Sequence, residues 1–338
     1  MSRPGAVTRR GCLHAAGLAA AACGGALHAS AGRGGPAGRT ARIAITLDLE
    51  MSRNFPTWEA THWDYEKGNL DEPTKRYTVE AARRVRAAGG VVHCFVVGRV
   101  LEQPDVGWLA GLAADGHPLG NHTYDHVNVR ATRAEDLQPR FQRAPWLLRG
   151  QSAAEAIREN ILLTTKALRQ RLGVAPAGFR TPGGFADGLR RHEAVRTLLA
   201  DLGFSWVSSL YPAHPVTAPF AEPSAAVLDG IVAAHAAAQP HRYPDGLVEV
   251  PMSPISDIGA FRTGRWRLPW FLDALRRCIA WTIDHGAVFD FLGHPSCLSV
   301  VDPDFEAIDL ICGMVRDAGD RAALVDLDTI AREVRGPE

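Results

Sequence analysis

The chain has 338 residues, 46% of them apolar and 22% charged, a balance that excludes a disordered, collagenous or coiled-coil protein and leaves room for one large barrel or two modest domains. Thirty-seven basic residues offset 37 acidic ones, so there is no overall basic field of the kind that binds nucleic acid.

Residues 1–38 differ from the rest: Arg3, Arg9 and Arg10 precede an Ala/Gly/Leu run that passes into a Gly-rich stretch. This reads as an export signal and linker, with Thr8-Arg9-Arg10-Gly11-Cys12-Leu13 suiting a twin-arginine leader and Ala29-Ser30-Ala31 a cleavage site. The expected destination is the periplasm, cell envelope or exterior. Lipid attachment at Cys23 is a weaker reading than cleavage, because Ala20 stands where a leucine is expected. No later apolar run reaches the ~18 residues needed to span a bilayer. Cys94, Cys278, Cys297 and Cys312 form no C-x-x-C pair, which favours buried thiols over a thiolate zinc site, though spacing leaves a disulfide open.

From residue 43 on, short β-branched runs alternate with amphipathic stretches. Strands are predicted at 43–47, 91–97, near 121, at 177–179, 205–208, 247–250 and 288–292, and near 323–325. Helices are predicted at 73–88, 105–114, 152–173, 189–202, 268–285 and 305–317, that at 152 opened by the capping box Ser152-Ala153-Ala154-Glu155. Such alternation in one domain, 39–338, predicts a distorted (β/α)7-8 barrel, with an open doubly wound sheet as the alternative. The Pro/Ala-rich stretch 211–246 is long for a loop and is expected to cover the barrel mouth.

Four segments put polar groups just after predicted strands, where barrel enzymes carry their chemistry. Asp48 and Glu50 end the first strand two residues apart, hence on the same face. In His122-Thr123-Tyr124-Asp125-His126 two histidines four apart suit a metal if the segment is a helical turn, and Thr123 stands where a zinc peptidase would carry its glutamate. Arg180-Thr181-Pro182-Gly183-Gly184 offers a guanidinium to orient a carboxylate and glycines that let the backbone approach a ligand. Leu292-Gly293-His294 supplies an imidazole suited to acid or base work near neutral pH.

In this order the segments resemble the polysaccharide deacetylases, metal-dependent esterases that remove N- or O-acetyl groups from glycans such as chitin and peptidoglycan. Thr46-Leu47-Asp48-Leu49-Glu50 is similar to the family's T-F-D-D-G, His122 to His126 to its H-[ST]-x-x-H, Arg180-Thr181-Pro182 to its R-x-P and Leu292-Gly293-His294 to its L-x-H. The resemblance implies a distorted (β/α)7 barrel, a divalent ion, by default Zn2+, on His122 and His126, Asp48 as general base, Arg180 as its orienting partner, and His294 as general acid. It also implies that Leu292 lines the acetyl pocket, that a backbone amide near Pro182 and Gly183 holds the oxyanion, and that Trp206 belongs to a substrate-side strand. Two positions depart from the pattern. Leu49 replaces the usual third ligand, for which Glu50 is the nearest substitute. Val207 replaces an acidic residue, leaving Asp257 and Asp290 as candidates to tune His294. Trp58, His62, Trp63 and Tyr65 suit either sugar stacking or core packing. Two other readings compete: a metal-independent hydrolase resembling allantoinases, which Leu49 favours and the export leader opposes, and a non-catalytic glycan-binding barrel.

Overall fold

The structure is a computed structural model and describes residues 39–51 and 67–336. The leader expected at 1–38, with Cys23, and the aromatic residues Trp58, His62, Trp63 and Tyr65 lie outside the described residues. Among the described residues nine strands make one sheet: β1 (Ala41–Leu49), β2 (Val92–Val96), β3 (Leu119–Asn121), β4 (Gly178–Phe185), β5 (Trp206–Leu210), β6 (His241–Arg242), β7 (Val248–Glu249), β8 (Val288–Gly293) and β9 (Ala322–Leu324). Their order is β6-β7-β5-β4-β3-β2-β1-β8, and β9 pairs with the first three residues of β1. Every pairing is parallel except that of β6 with β7. The sheet curls into a distorted barrel, a single domain of the expected class. It stays open between its edges, β6 with the end of β7 on one side and β8 on the other, which share no ladder among the described residues. One backbone bond from Ser253 N–H to the Asp290 carbonyl, 2.8 Å long, crosses that seam.

Parallel strands covered on both faces read as nearly continuous apolar runs, and β1 shows how the two faces are used. Ile43, Ile45, Leu47 and Leu49 join the large core shared with the outer helices. Ala44 belongs to a separate inner cluster with Phe95 and Trp206, and Thr46 and Asp48 hydrogen-bond to Arg180 inside the barrel. Leu49 is therefore an outward core residue with no path to a ligand. The strand's two-residue period carries Asp48 and then Glu50 inward.

The helix Ala153–Leu172 forms as its sequence requires: Ser152 and Glu155 exchange both capping-box bonds, and Gly173 ends it at φ +71°. Two sequence expectations change. The stretch 211–246 is no lid: its central part is the helix Ala225–Ala237, whose Leu228 and Ile231 are buried against the outer helix Leu268–His285. Arg180-Thr181-Pro182-Gly183-Gly184 does not follow a strand but lies within β4, where the pairing register with β5 shifts between Arg180 and Phe185. The helices Pro295–Val301 and Leu327–Arg335 and the short strand β6 were not predicted. Cys94, Cys278 and Cys297 are buried free thiols, and Cys312 is partly buried.

Candidate active site

The ends of β1, β3, β4 and β8 converge at the C-terminal mouth of the barrel. They bring together six residues that the sequence singled out: Asp48, Glu50, His122, His126, Arg180 and His294. Glu50 lies at the centre. Its Oε1 is 3.3 Å from His122 Nε2, 2.9 Å from His126 Nε2 and 3.5 Å from His294 Nε2. Its Oε2 receives the Lys67 ammonium at 2.5 Å, in a pair that is almost wholly buried.

The two histidines are not on a helical turn. Thr123 and His126 both sit in the left-handed region, at φ +58° and +59°, which costs non-glycine residues roughly 1–3 kcal/mol each. The loop is held by side chains. Thr123 N–H donates to Asn121 Oδ1 (2.9 Å), Val127 N–H to Thr123 Oγ1 (3.0 Å), and Asp125 N–H to Asn160 Oδ1 (2.8 Å) from the capped helix. Four residues of separation bring both rings to Glu50 because the chain coils twice through the left-handed region.

The donor set suits a cation. His122 Nδ1 lies 2.9 Å from the Arg180 carbonyl, which can only accept, so Nδ1 carries a proton and Nε2 is the nitrogen turned toward Glu50 Oε1. Burial first, with the nearby Lys67 charge, lowers the His126 pKa to about 4 despite Glu50, so this ring is neutral at neutral pH. Burial would raise the Glu50 pKa, but His126 and Lys67, with hydrogen bonds from both histidines, hold it well below the usual carboxylate range. Two imidazoles and a carboxylate oxygen thus face one point, and the donor atoms lie within 4.8 Å of one another.

Asp48 is held on one side and open on the other. Its Oδ1 accepts from Arg180 Nη1 at 3.0 Å, while Oδ2 faces the site, 3.7 Å from His122 Nε2 and 4.0 Å from His294 Nε2. Arg180 is completely buried. It also donates to Thr46 Oγ1 (2.7 Å), Ser208 Oγ (3.1 Å) and Asp290 Oδ2 (2.5 Å), and its guanidinium lies 4.2 Å over the Phe95 ring. A guanidinium so fully engaged cannot swing, which fixes the plane of the Asp48 carboxylate.

The partner of His294 is Asp257, not Asp290. Asp257 Oδ1 lies 2.8 Å from His294 Nδ1, and Oδ2 accepts the His294 backbone N–H at 2.8 Å. Asp290 instead serves Arg180 and Thr46, and burial above all raises its pKa to about 6. Burial would lower the His294 pKa, but the Asp257 charge and hydrogen bond, reinforced by Glu50, raise it well above the ordinary value. Thirty-seven residues separate this pair, which explains why sequence could narrow the choice but not make it.

A cavity of about 320 Å³ opens over these groups. Asp48, Glu50, His126, Arg262 and His294 are among its polar lining, Leu292, Met252 and Ile258 its apolar lining, and Gly183, Tyr211 and Ser256 line it as well. Pro182 lines a neighbouring cavity of about 260 Å³ on the far side of His126 and Gly183. Trp206, expected on the substrate side, is instead a core residue: it is 1% exposed, its indole donates to Asp328 at 2.7 Å, and it packs edge-on against His93 and Phe95. It starts β5, at the opposite end of the strand from the site, and faces the barrel interior. Sequence reading missed Lys67, whose only signal was its being one of three lysines in an Arg-rich chain.

No curated protein matches the sequence. Among solved structures the fold is similar to a Mycobacterium smegmatis protein described as a polysaccharide deacetylase (TM-score 0.56, 18% identity, covering 89% of this chain and 92% of that one). It is also similar to a Pseudomonas aeruginosa PAO1 protein described in the same way (0.55, 15%, 86% and 89%) and to the PuuE allantoinase (0.52, 14%, 86% and 89%). At these identities the likeness is one of fold. Residues 69–207 match the family model named polysaccharide deacetylase. That stretch contains His122, His126 and Arg180, with Asp48 and Glu50 before it and His294 after it. The family consists of hydrolases that act on carbon–nitrogen bonds other than peptide bonds. Over that stretch, less than half of the chain, the sequence is similar to the polysaccharide deacetylase family.

Proposed function

We propose that the protein is a metal-dependent deacetylase of an acetylated glycan, with Glu50, His122 and His126 as metal ligands, Asp48 as general base and His294 as general acid. The observation that carries this reading is the convergence of two imidazole Nε2 atoms on Glu50 Oε1, with His122 Nδ1 held by the Arg180 carbonyl. A divalent cation bound there, Zn2+ by default, supplies Lewis-acid activation of water and of the acyl oxygen. The protein's own groups do the rest. Asp48, immobilised through Oδ1, offers Oδ2 to take the proton of an attacking water. His294, kept as imidazolium by Asp257, gives its Nε2 proton to the leaving amine or alkoxide on the other side of the cavity. Leu292, Met252 and Ile258 give the acetyl methyl an apolar wall. Gly183, at φ +76° in the cavity lining, offers its backbone to the acyl oxygen.

The test is acetate release from acetylated chitooligosaccharides and peptidoglycan, with and without chelator, alongside measured metal content. Chelation is expected to stop turnover, and Glu50→Ala to lower both metal occupancy and turnover by at least a hundredfold. Full turnover in metal-free protein would overturn the reading. Full metal occupancy in Glu50→Ala would remove Glu50 from the ligand set. One observation favours a second reading, metal-free hydrolysis of a ureide or related C–N bond: Lys67 supplies positive charge to Glu50 without any ion. Ureide turnover with no acetate release would establish it. Export through the leader at 1–38 is part of the proposal, and a reporter fused to those residues tests it.

A further inference from the structure

Glu50 divides its two oxygens between unlike partners. Oε1 faces the imidazoles of His122 and His126, whereas Oε2 carries the Lys67 ammonium at 2.5 Å, with Met51 Sδ at 3.7 Å from the same nitrogen. Both members of the pair are nearly inaccessible, Lys67 at 2% and Glu50 at 4% exposure. The backbone builds this approach. Gly68 N–H donates to the Glu50 carbonyl at 2.6 Å. Gly68 itself has φ +89°, and a Cβ there would stand 2.2 Å from Arg99 Cβ, so only glycine fits and Lys67 is fixed beside the end of β1. A lysine presents a compact point charge, unlike the planar fork of the arginines that make up nearly all of this chain's basic residues.

From this, and resting on the metal reading above, we infer that Lys67 is a positioning residue that sets the affinity of the metal site: it confines Glu50 to a single ligating oxygen and opposes the bound dication with a buried like charge. A carboxylate already neutralised by an ammonium is a poorer donor. In a site shielded from water the repulsion between ammonium and dication is weakly screened. The site then loads and unloads with ambient metal instead of retaining it permanently.

The experiment uses the full chain and reads binding directly. Wild type, Lys67→Met, Lys67→Gln and Lys67→Arg are titrated with Zn2+ and Co2+ against a chromophoric chelator, with the Co2+ absorption bands recorded and folding checked by circular dichroism. The glutamine keeps an N–H for Oε2 but no charge, so it separates orientation from repulsion and serves if the methionine variant fails to fold. Lys67→Met and Lys67→Gln are expected to bind on the order of tenfold tighter, and Lys67→Arg within about threefold of wild type. If wild type binds metal and neither uncharged variant binds more tightly, the inference falls while the metal reading stands. If no form binds metal, both fall. Binding by the uncharged variants alone supports the inference in its strongest form.

Discussion

Replacing Asp257 with Asn tests the acid half of the proposed mechanism. The pair it breaks is a 2.8 Å contact between His294 Nδ1 and a carboxylate with no exposed surface. A hydrogen bond to a charged partner is worth about 1.5–3 kcal/mol, or roughly 1–2 pH units at 1.36 kcal/mol per unit. The sign follows from the role: a general acid works when protonated, so activity persists to higher pH when its pKa is raised and is lost as pH climbs through that value. In Asp257→Asn the charge is gone while burial, which acts to lower the His294 pKa, remains, with only Glu50 left to raise it. The alkaline limb should therefore fall toward the ordinary histidine value of ~6.5. At pH 8 about 3% of such an imidazole is protonated, a deficit of about 30-fold that shrinks to about twofold near pH 6.5. The assay is the pH dependence of kcat for acetate release between pH 5 and 10. An alkaline limb that stays in place, or a loss equal at every pH, would refute the assignment of His294 as an acid tuned by Asp257.

Trp206→Ala should cost about 3–5 kcal/mol in urea unfolding and leave KM within twofold at a temperature where the variant is folded; a large rise in KM at unchanged stability would return Trp206 to the substrate side. Ser152→Ala removes one half of a reciprocal cap and should lower stability by about 1 kcal/mol, measurable as a shift in the urea midpoint with unchanged slope.

The sequence was most legible where local chemistry and global burial agree. The capping box at Ser152 and the alternation in β1 each name their own conformation, and the same alternation explains how Glu50, rather than Leu49, comes to face inward. The site was legible as a set of residue types at strand ends, because a parallel barrel delivers exactly those positions to one mouth. What stayed hidden depended on long-range contact or on rare backbone. The left-handed turns at Thr123 and His126 have no glycine to announce them, and Asn121 and Asn160 enforce them from elsewhere. The helix Ala225–Ala237 was hidden by composition: its Ala/Val/Leu content leaves little contrast between faces, so the segment read as a loop. Trp206 misled because an aromatic beside a substrate-side motif points either way along a strand, and only the partners His93, Phe95 and Asp328 choose.

The seam between β7 and β8 gives Asp257 a second responsibility. In a barrel closed by a full ladder, main-chain bonds indifferent to side-chain identity would fix the circumference. Here Met252, Ser256 and Asp257 stand on one bank and Leu292 and His294 on the other. The banks are clasped by the Ser253 bonds to Asp290 and Leu292, by the two Gln239 bonds to Val288, and by the twin contacts of the Asp257 carboxylate with the His294 ring and backbone. One side chain thus both helps to hold the two banks together and tunes the protonation of the acid, so parting them at this point would also disarm the proton donor.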